Sequence, residues 1–337
     1  MVLPKIVCVV GPTASGKTDV GVAIAKMFDG EVVAADSRTV YREMNIGTAK
    51  PSPDGARRFM AGGASPEEAT ADEGPPLIRN IHDLFKPRPM IVDGVPHWGF
   101  DLVDPGQPFT VKDYQMYADA KIADIVKRRK LPVIVGGTGL YIKSLIDRPT
   151  YSSVAPNAEL RASFEAMTNQ ELVDAIGERD PDAMASIDED NRVRLIRALE
   201  IIMTTGRPLS EDRGFEPAKY DALQIGIEVP REELYVRIDE RVAIMVAKGL
   251  VEEVRLLKER YGCEIPAMSG IGYRQICDFF DGKMKLRDAL ARMKYDTRHY
   301  AKRQETWFKG DERVVWVTSA LQATKEVEHF IASYDRT

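Results

Sequence analysis

Short apolar runs alternate with segments of helical periodicity in the first part of the chain. Residues 6–10, 31–35 and 131–135 are nearly unbroken apolar runs, rich in β-branched residues. Runs of this length predict strands that are buried on both faces, as in a parallel sheet. Residues 19–28 and 111–130 have the spacing of amphipathic helices. The pattern therefore predicts an α/β fold with a parallel sheet flanked by helices.

The second half of the chain is mainly helical. Residues 151–208 carry helical periodicity throughout, with Gly206 as a C-terminal cap. A strand pattern returns at 223–229, followed by helices to about residue 309, a strand at 314–317 and a terminal helix. We divide the chain into core residues 1–150, an inserted helical subdomain at 151–210, and a return to the core at 211–337. Residues 52–89, rich in Ala, Gly, Pro and Glu, predict a flexible or partly helical insertion.

Composition limits the classes of protein. With 337 residues and 44% hydrophobic content, the chain can bury a large core. No run approaches the eighteen or so apolar residues of a membrane span, and the N-terminus predicts no export signal. Cys8, Cys263 and Cys277 are too scattered to predict a disulfide framework or a zinc site, so we expect a reducing cytoplasm. The net charge of −5 does not exclude a locally basic surface for nucleic acid.

The strongest motif is GPTASGKT, which follows the first predicted strand and precedes a predicted helix. This is the G-x-x-x-x-G-K-[ST] pattern of a P-loop, in which glycines let backbone N–H groups point at phosphate oxygens. The lysine brings a positive charge to the terminal phosphate, and the threonine hydroxyl can ligate Mg²⁺. The residues assigned to phosphate binding are Gly11, Thr13, Ala14, Ser15, Gly16, Lys17 and Thr18, with Thr18 as the metal ligand.

Other polar residues follow the predicted strands. Asp36 comes after the second strand, and Gly136, Gly137 and Thr138 follow the third. Ligand chemistry in open α/β sheets is found at the carboxyl ends of strands, and paired glycines suggest a backbone that comes close to a ligand. We interpret residues 36–51 as a polar loop with short helical pieces. Asp93, after a three-residue apolar run, is a weaker candidate for a metal ligand.

Taken together, seven segments resemble the bacterial tRNA dimethylallyltransferases, also called tRNA isopentenyltransferases. In chain order they are GPTASGKT, DSRTVYREMNIGTAKP, VPHWGFDLVDP, LPVIVGGTGLYI, RLIRALEI, SGIGYRQI and TRHYAKRQETWFK. The resemblance implies transfer of a dimethylallyl group from dimethylallyl diphosphate to N6 of adenosine 37, giving i6A37 in tRNAs that read codons beginning with U. It implies a P-loop-type α/β core and an all-helical tRNA-binding insertion that together embrace the anticodon stem-loop.

Catalytic roles follow from the chemistry and from the resemblance. The exocyclic amine of adenine is a weak nucleophile and needs a base, for which Asp36 is the candidate. Thr138 would hydrogen-bond the same amine or orient the carboxylate. The P-loop, Lys17 and Mg²⁺ would neutralise the departing diphosphate. The alternative role for Asp36 is a helix cap or an outer ligand of Mg²⁺.

Two sets of arginines extend this site. Arg237 and Arg241 share one helix face, and the resemblance implies that one of them assists at the diphosphate; ion pairs with neighbouring acidic residues are the alternative. By resemblance, RNA contacts are implied for Asp36, Ser37, Arg38, Thr39, Arg161, Arg194 and Arg197. A stripe formed by Arg298, Lys302 and Arg303 suits phosphates, although a solvated helix face explains it equally well.

Two positions of the site depart from the sequence pattern of the family. Trp98 stands where relatives often have His, and Thr39 where many have Gln.

Other functions are possible for a chain with these motifs. A closely related one is that of an isopentenyltransferase acting on free AMP or ADP; others are a small-molecule P-loop kinase and a non-catalytic RNA-binding module or nucleotide switch. No N-K-x-D motif supports the switch. We expect a monomer that binds tRNA, dimethylallyl diphosphate and Mg²⁺, without contact with a membrane.

Overall fold

The computed structural model describes residues 2–53, 88–152, 154–185, 187–211 and 214–332. The chain divides into two compact units, one formed by Met1–Ile146 with Lys219–Thr337 and the other by Asp147–Ala218. The predicted insertion at 52–89 lies almost entirely outside the described residues. None of the helices in the described ranges is long and apolar enough to cross a membrane.

A single sheet forms the centre of the first unit. Its strands are β1 Lys5–Val10, β2 Gly30–Ala34, β3 Met90–Val92, β4 Val95–Trp98, β5 Leu131–Val135, β6 Asp221–Ile227 and β7 Val314–Val317. Their order in the sheet is β3-β4-β2-β5-β1-β6-β7. Apart from β3, which is antiparallel to β4, the described strands are parallel. The predicted α/β class is therefore confirmed.

Helices cover both faces of this sheet. Their bounds are α1 Lys17–Met27, α2 Val111–Lys127, α3 Gly139–Ile146 and, near the C-terminus, α12 Ala320–Ala332. Alternate residues of β1 point to opposite faces. Ile6 and Cys8 pack with α2 and α3, whereas Val7 and Val9 pack with α1 and α12. The long apolar runs in the sequence reflect this two-sided burial.

A third cluster lies beside the sheet. It is built from α8 Arg231–Ala247, α9 Leu250–Tyr261, a 3₁₀ turn at Pro266–Ser269, α10 Tyr273–Phe280 and α11 Leu286–Lys309. Their apolar side chains enclose Val40, Tyr41 and Met44 from the loop after β2. This packing anchors the loop that carries Asp36.

The second unit has a small helical core of its own. Its helices are α4 Ala158–Glu165, α5 Asn169–Gly177, α6 Pro181–Met184 and α7 Arg192–Thr205. Polar N-cap residues begin each helix, and Thr168 forms a capping box with Glu171. Gly206 ends α7 in the left-handed region, with φ 67°, as predicted.

Two sequence-based interpretations of the first unit are wrong. Asp93 lies in the tight turn between β3 and β4, with φ 50°, next to Gly94. Because β4 leaves this turn toward the carboxyl edge of the sheet, Asp93 lies at the opposite edge and is no metal ligand of the site. The loop at 36–51 consists of turns, with one bridge between Tyr41 and Val103, and contains no helix in its described residues 36–51.

The expectation for the cysteines is also wrong. Cys263, just after α9, and Cys277, in α10, are joined by a disulfide with their Cα atoms 6.2 Å apart. The turn between the two helices brings together residues that are 14 positions apart in sequence. Sequence spacing does not reveal this approach. Cys8 is a buried free thiol in the sheet, as expected for a core residue.

Candidate active site

Three loops meet at the carboxyl edge of the central strands. The P-loop follows β1, Asp36 follows β2 and Thr138 follows β5, and these three strands are neighbours. The Gly136 N–H donates to Val9 O at 3.1 Å, and the Thr138 N–H donates to Ala35 O at 3.2 Å. Backbone hydrogen bonds thus extend past the strand ends and hold the loops together.

The P-loop adopts the backbone that its glycines permit. Gly11 has φ 138°, where a Cβ would lie 3.2 Å from Ile227 O, and Gly16 precedes α1 with φ 88°. The Lys17 ammonium donates to Pro12 O at 2.5 Å. Burial, together with the neighbouring Arg241 guanidinium, lowers the pKa of Lys17 to about 7. An anion bound here would favour the protonated form of Lys17.

Asp36 forms the turn at the end of β2. Its Oδ1 accepts the N–H of Arg38 at 2.8 Å and the N–H of Thr39 at 3.4 Å. Within the described part of the chain, no hydrogen bond to Oδ2 is present. One oxygen therefore fixes the carboxylate, while the other is available to a ligand in the adjacent cavities.

Thr138 holds this turn and contacts a tyrosine. Its hydroxyl oxygen accepts the Ser37 N–H at 3.1 Å, and its side chain hydrogen-bonds Tyr300 of α11. Burial raises the pKa of Tyr300 to about 12, so that its hydroxyl stays protonated at neutral pH. Thr138 therefore positions the Asp36 turn, and Tyr300 adds a protonated hydroxyl beside it.

Two cavities meet around Asp36. The first, which we call the P-loop cavity, has a volume of about 540 Å³ and is lined by Lys17, Thr18 and Thr39, among others. The second, about 490 Å³, we call the arginine cavity; its walls include Arg38, Arg241, Arg274 and Arg303. The residues that line both cavities are Thr13, Asp36, Thr48, Arg241 and Tyr300.

The two candidate arginines of α8 differ in their surroundings. Arg241 is largely buried and lines both cavities; burial lowers its pKa and the Asp36 carboxylate raises it. Arg237 is exposed and donates to Glu233 at 2.5 Å, although it also borders the P-loop cavity. The geometry thus brings Arg241 together with Lys17 and Asp36.

A carboxylate far along the chain holds the loop that borders both cavities. Glu253 of α9 accepts the backbone N–H groups of Asn45, Ile46 and Gly47 at 2.7 to 3.0 Å. It also accepts the hydroxyl of Tyr273 at 2.7 Å. Four donors therefore fix the loop immediately before Thr48.

Matches to known proteins agree with this geometry. The IPP transferase family model matches residues 85–311, and the isopentenyl transferase model matches residues 4–59. The chain is 40% identical over 309 residues to the tRNA dimethylallyltransferase of Roseiflexus sp. (strain RS-1), with 90% of each chain covered. It is 37% identical to tRNA dimethylallyltransferase 1 of Pelobacter propionicus, covering 99% of this chain and 98% of the relative. The chain belongs to the tRNA dimethylallyltransferase (IPP transferase) family.

Solved structures agree with this family assignment. The full-length tRNA isopentenylpyrophosphate transferase of Bacillus halodurans is similar with a TM-score of 0.64 and 35% identity, over 98% of this chain and 96% of that chain. A eukaryotic dimethylallyltransferase acting on tRNA gives a TM-score of 0.75 at 25% identity, over 98% of this chain and 80% of that one. The chain is thus a prenyltransferase, and the predicted family and fold class are confirmed.

The other predicted RNA contacts in the first unit differ in their surroundings. Arg38 donates to Pro266 O at 2.8 Å and to Ser269 Oγ at 3.1 Å, which ties the Asp36 turn to the 3₁₀ turn. Arg298 is paired with Asp239, with a shortest distance of 2.5 Å. Lys302 and Arg303 are exposed on α11, and Arg303 stacks over the Tyr300 ring at 5.6 Å. Arg303 alone of this stripe lines the arginine cavity.

In the helical unit, two of the three predicted RNA-binding arginines hold a buried carboxylate. Glu200 is fully buried and accepts hydrogen bonds from Arg161 at 2.8 Å and from Arg197 at 2.5 Å. Burial raises the pKa of Glu200, but the bonds from Arg161, the Asn157 N–H and Arg197 outweigh it and lower the pKa to about 2. Arg194 has an exposed side chain. RNA contact by these residues remains a prediction.

Trp98, where relatives often have His, does not line either cavity of the site. The indole N–H donates to Glu31 at 2.8 Å, and the Lys121 ammonium lies 4.2 Å from the ring centroid. Glu31 is in turn paired with Arg128. Trp98 is therefore part of a polar cluster on the sheet, whereas the buried His97 before it lines the P-loop cavity.

Sequence reasoning missed Tyr300, Gln304 and Glu253. In α11, Gln304 lies on the same buried stripe as Ala301 and Phe308. A polar residue within an apolar stripe needs a buried partner, and that was the available signal. Glu253 gave no comparable signal, because three of its four partners are backbone groups about 200 residues earlier.

The described residues offer few ligands for Mg²⁺. Among the described residues, no group of three or more His, Cys, Asp or Glu side chains could hold a metal ion. Mg²⁺ often keeps several waters and bridges a few protein oxygens to substrate phosphates. The site thus fits an ion held by the Thr18 hydroxyl together with diphosphate oxygens, and does not fit an ion bound by protein alone.

The Glu200 cluster predicts a pH-dependent stability of the helical unit. Because the pKa of Glu200 is lowered from 4.5 to about 2, its stabilisation is complete above pH 4.5 and is lost as the pH falls toward 2. Glu200→Gln should lower the free energy of unfolding by about 3 kcal/mol at pH 7, since it leaves two arginines uncompensated. Denaturant titrations followed by circular dichroism at pH 7 and pH 2.5 would measure this.

The matched control is Glu165→Gln, which removes the exposed partner of Arg192 and should change stability by less than about 1 kcal/mol. Equal losses for Glu200→Gln at both pH values would contradict the role of its charge.

Proposed function

We propose that this enzyme transfers the dimethylallyl group of dimethylallyl diphosphate to N6 of adenosine 37 in tRNAs that read codons beginning with U. The observation that carries the proposal is the meeting of two cavities at Asp36, Arg241 and Tyr300. One cavity ends in a phosphate cradle, and the other is lined by arginines that suit an RNA strand. A carboxylate lies where the two substrates would meet.

The P-loop cavity would take the diphosphate. The N-terminus of α1, Lys17 and Arg241 supply positive charge to a leaving group that gains negative charge as the C–O bond breaks. When bound at Thr18, Mg²⁺ would neutralise part of the same charge. Arg241 is our candidate for the arginine at the diphosphate, because Arg237 is exposed and already paired with Glu233.

Asp36 would act as the general base. As N6 attacks C1 of the dimethylallyl group, the bonding electrons leave with the diphosphate and the N6 proton passes to the carboxylate. Oδ1 is held by the turn, so Oδ2 is the oxygen that can accept this proton. Tyr300 is protonated and lies in the same wall, where it can hydrogen-bond the base or the diphosphate.

We propose that the enzyme acts as a monomer. We place it in the cytoplasm together with its tRNA substrate. Transfer to free AMP is the alternative closest in chemistry. The arginine cavity favours RNA, since its wall carries the exposed Arg303 together with Arg38 and with Arg274, which is paired with Asp296 of the same wall.

An acceptor competition tests this function. The protein would be incubated with Mg²⁺, labelled dimethylallyl diphosphate and either an anticodon stem-loop with adenosines at positions 36 to 38 or free AMP. We expect label in the RNA and none in AMP. Label in AMP would support adenylate prenylation, and ATP turnover without labelling of either acceptor would support a kinase.

Asp36→Asn tests the general base. The amide keeps the acceptor for the Arg38 N–H but cannot take the N6 proton, so kcat should fall by about 10²- to 10⁴-fold. Binding of the stem-loop, measured by fluorescence anisotropy, should change little. Turnover within a few-fold of the wild-type rate would exclude Asp36 as the base.

The two arginines of α8 form a matched pair. Arg241→Lys should lower kcat/KM for the donor by about 10²-fold or more, because a buried, fixed guanidinium is lost from the leaving-group site. Arg237→Lys should change it by less than about 3-fold, since its partner is solvent-exposed. Steady-state kinetics with varied donor would distinguish them, and a reversed order would assign the diphosphate role to Arg237.

A further inference from the structure

Gln304 joins two loops of the site through one buried side chain. Its Oε1 accepts the Thr13 N–H at 2.8 Å, and its Nε2 donates to Gly137 O at 2.8 Å. The side chain is 6% exposed and lies on α11, far along the chain from both partners. It therefore links the P-loop after β1 with the loop after β5.

The contact with Gln304 explains why residue 137 is a glycine. A Cβ on Gly137 would lie 2.1 Å from Gln304 Nε2, and a Cβ on Gly136 would lie 2.0 Å from Ala35 O. The paired glycines thus make room for protein groups, and both also line the P-loop cavity, so the predicted close approach of a ligand stays a prediction. Any side chain at 137 would displace Gln304.

Gln304 also lies in the wall of the site itself. It lines the P-loop cavity together with Gly137, and Thr13 lines both cavities. One turn earlier, Tyr300 hydrogen-bonds Thr138, whose oxygen holds the Ser37 N–H beside Asp36. One stripe of α11 therefore contacts the phosphate cradle and the turn that carries the proposed base.

We propose that Gln304 is a positioning residue for the diphosphate of the donor. By fixing the Thr13 amide and the Gly137 carbonyl, it would hold the P-loop in its anion-binding form before the donor arrives, so that binding does not have to order the loop. The inference rests on the proposed function, because it assigns the cradle to a prenyl diphosphate.

Two variants test this role. Gln304→Met keeps the length of the side chain and removes both bonds, and Gln304→Glu keeps an acceptor for Thr13 but loses the donor to Gly137. Binding of inorganic diphosphate with Mg²⁺, followed by calorimetry, should weaken about 10- to 100-fold for Gln304→Met, since each lost bond is worth up to about tenfold. The KM for dimethylallyl diphosphate should rise with it, while the KM for the stem-loop stays the same. Gln304→Glu should weaken diphosphate binding at least as much, because it adds a negative charge.

Gln224→Met is the matched control. Gln224 is also buried, at 3% exposure, but its Nε2 donates to Asp311 within the sheet region and lines neither cavity. It should lower the melting temperature without changing diphosphate affinity. Unchanged diphosphate affinity in Gln304→Met, or an equal loss in Gln224→Met, would overturn the proposal. Because diphosphate binding needs no prenyl transfer, a failure of the proposed function would appear separately, in the acceptor assay.

Discussion

The active site depends on three neighbouring parallel strands that end at the same edge of the sheet. In the order β2-β5-β1, each strand delivers one loop, and hydrogen bonds that continue past the strand ends fix their spacing. A phosphate cradle, a threonine and a carboxylate thereby become neighbours, although Thr138 is more than a hundred residues away from the other two in the chain. The mechanism that we propose uses this arrangement, because it places positive charge at the leaving group and a base at the nucleophile.

Without a bound ligand, the buried charges of this site destabilise the folded protein. Lys17 and Arg241 are largely buried side by side, and Asp36 offsets them only in part, which is why the pKa of Lys17 falls to about 7. A bound diphosphate would supply the missing negative charge. The site is thus organised for an anion, which in the proposed function is the diphosphate of the donor.

Support for the site comes from the last third of the chain. Glu253 holds the loop before Thr48, and Gln304 with Tyr300 holds the P-loop and Thr138. In the helical unit, Arg161 and Arg197 are tied to a buried carboxylate, so any RNA contact by them has to be made with their remaining donors. Side chains that look like ligand contacts in sequence can thus be structural ones.

The sequence by itself determined five of the described strands (β1, β2, β5, β6 and β7), the P-loop and the carboxylate after β2, because apolar periodicity and glycine-rich turns are local properties. It did not predict the hairpin of β3 and β4. The resemblance carried by its seven segments was enough to predict the family. Only the tertiary structure decided between Arg237 and Arg241 as the buried arginine, moved Asp93 to the opposite edge, and paired Cys263 with Cys277. It also revealed Gln304 and Glu253, whose partners are mainly distant backbone groups. Such contacts depend on how helices pack onto the sheet edge, and no local pattern encodes them.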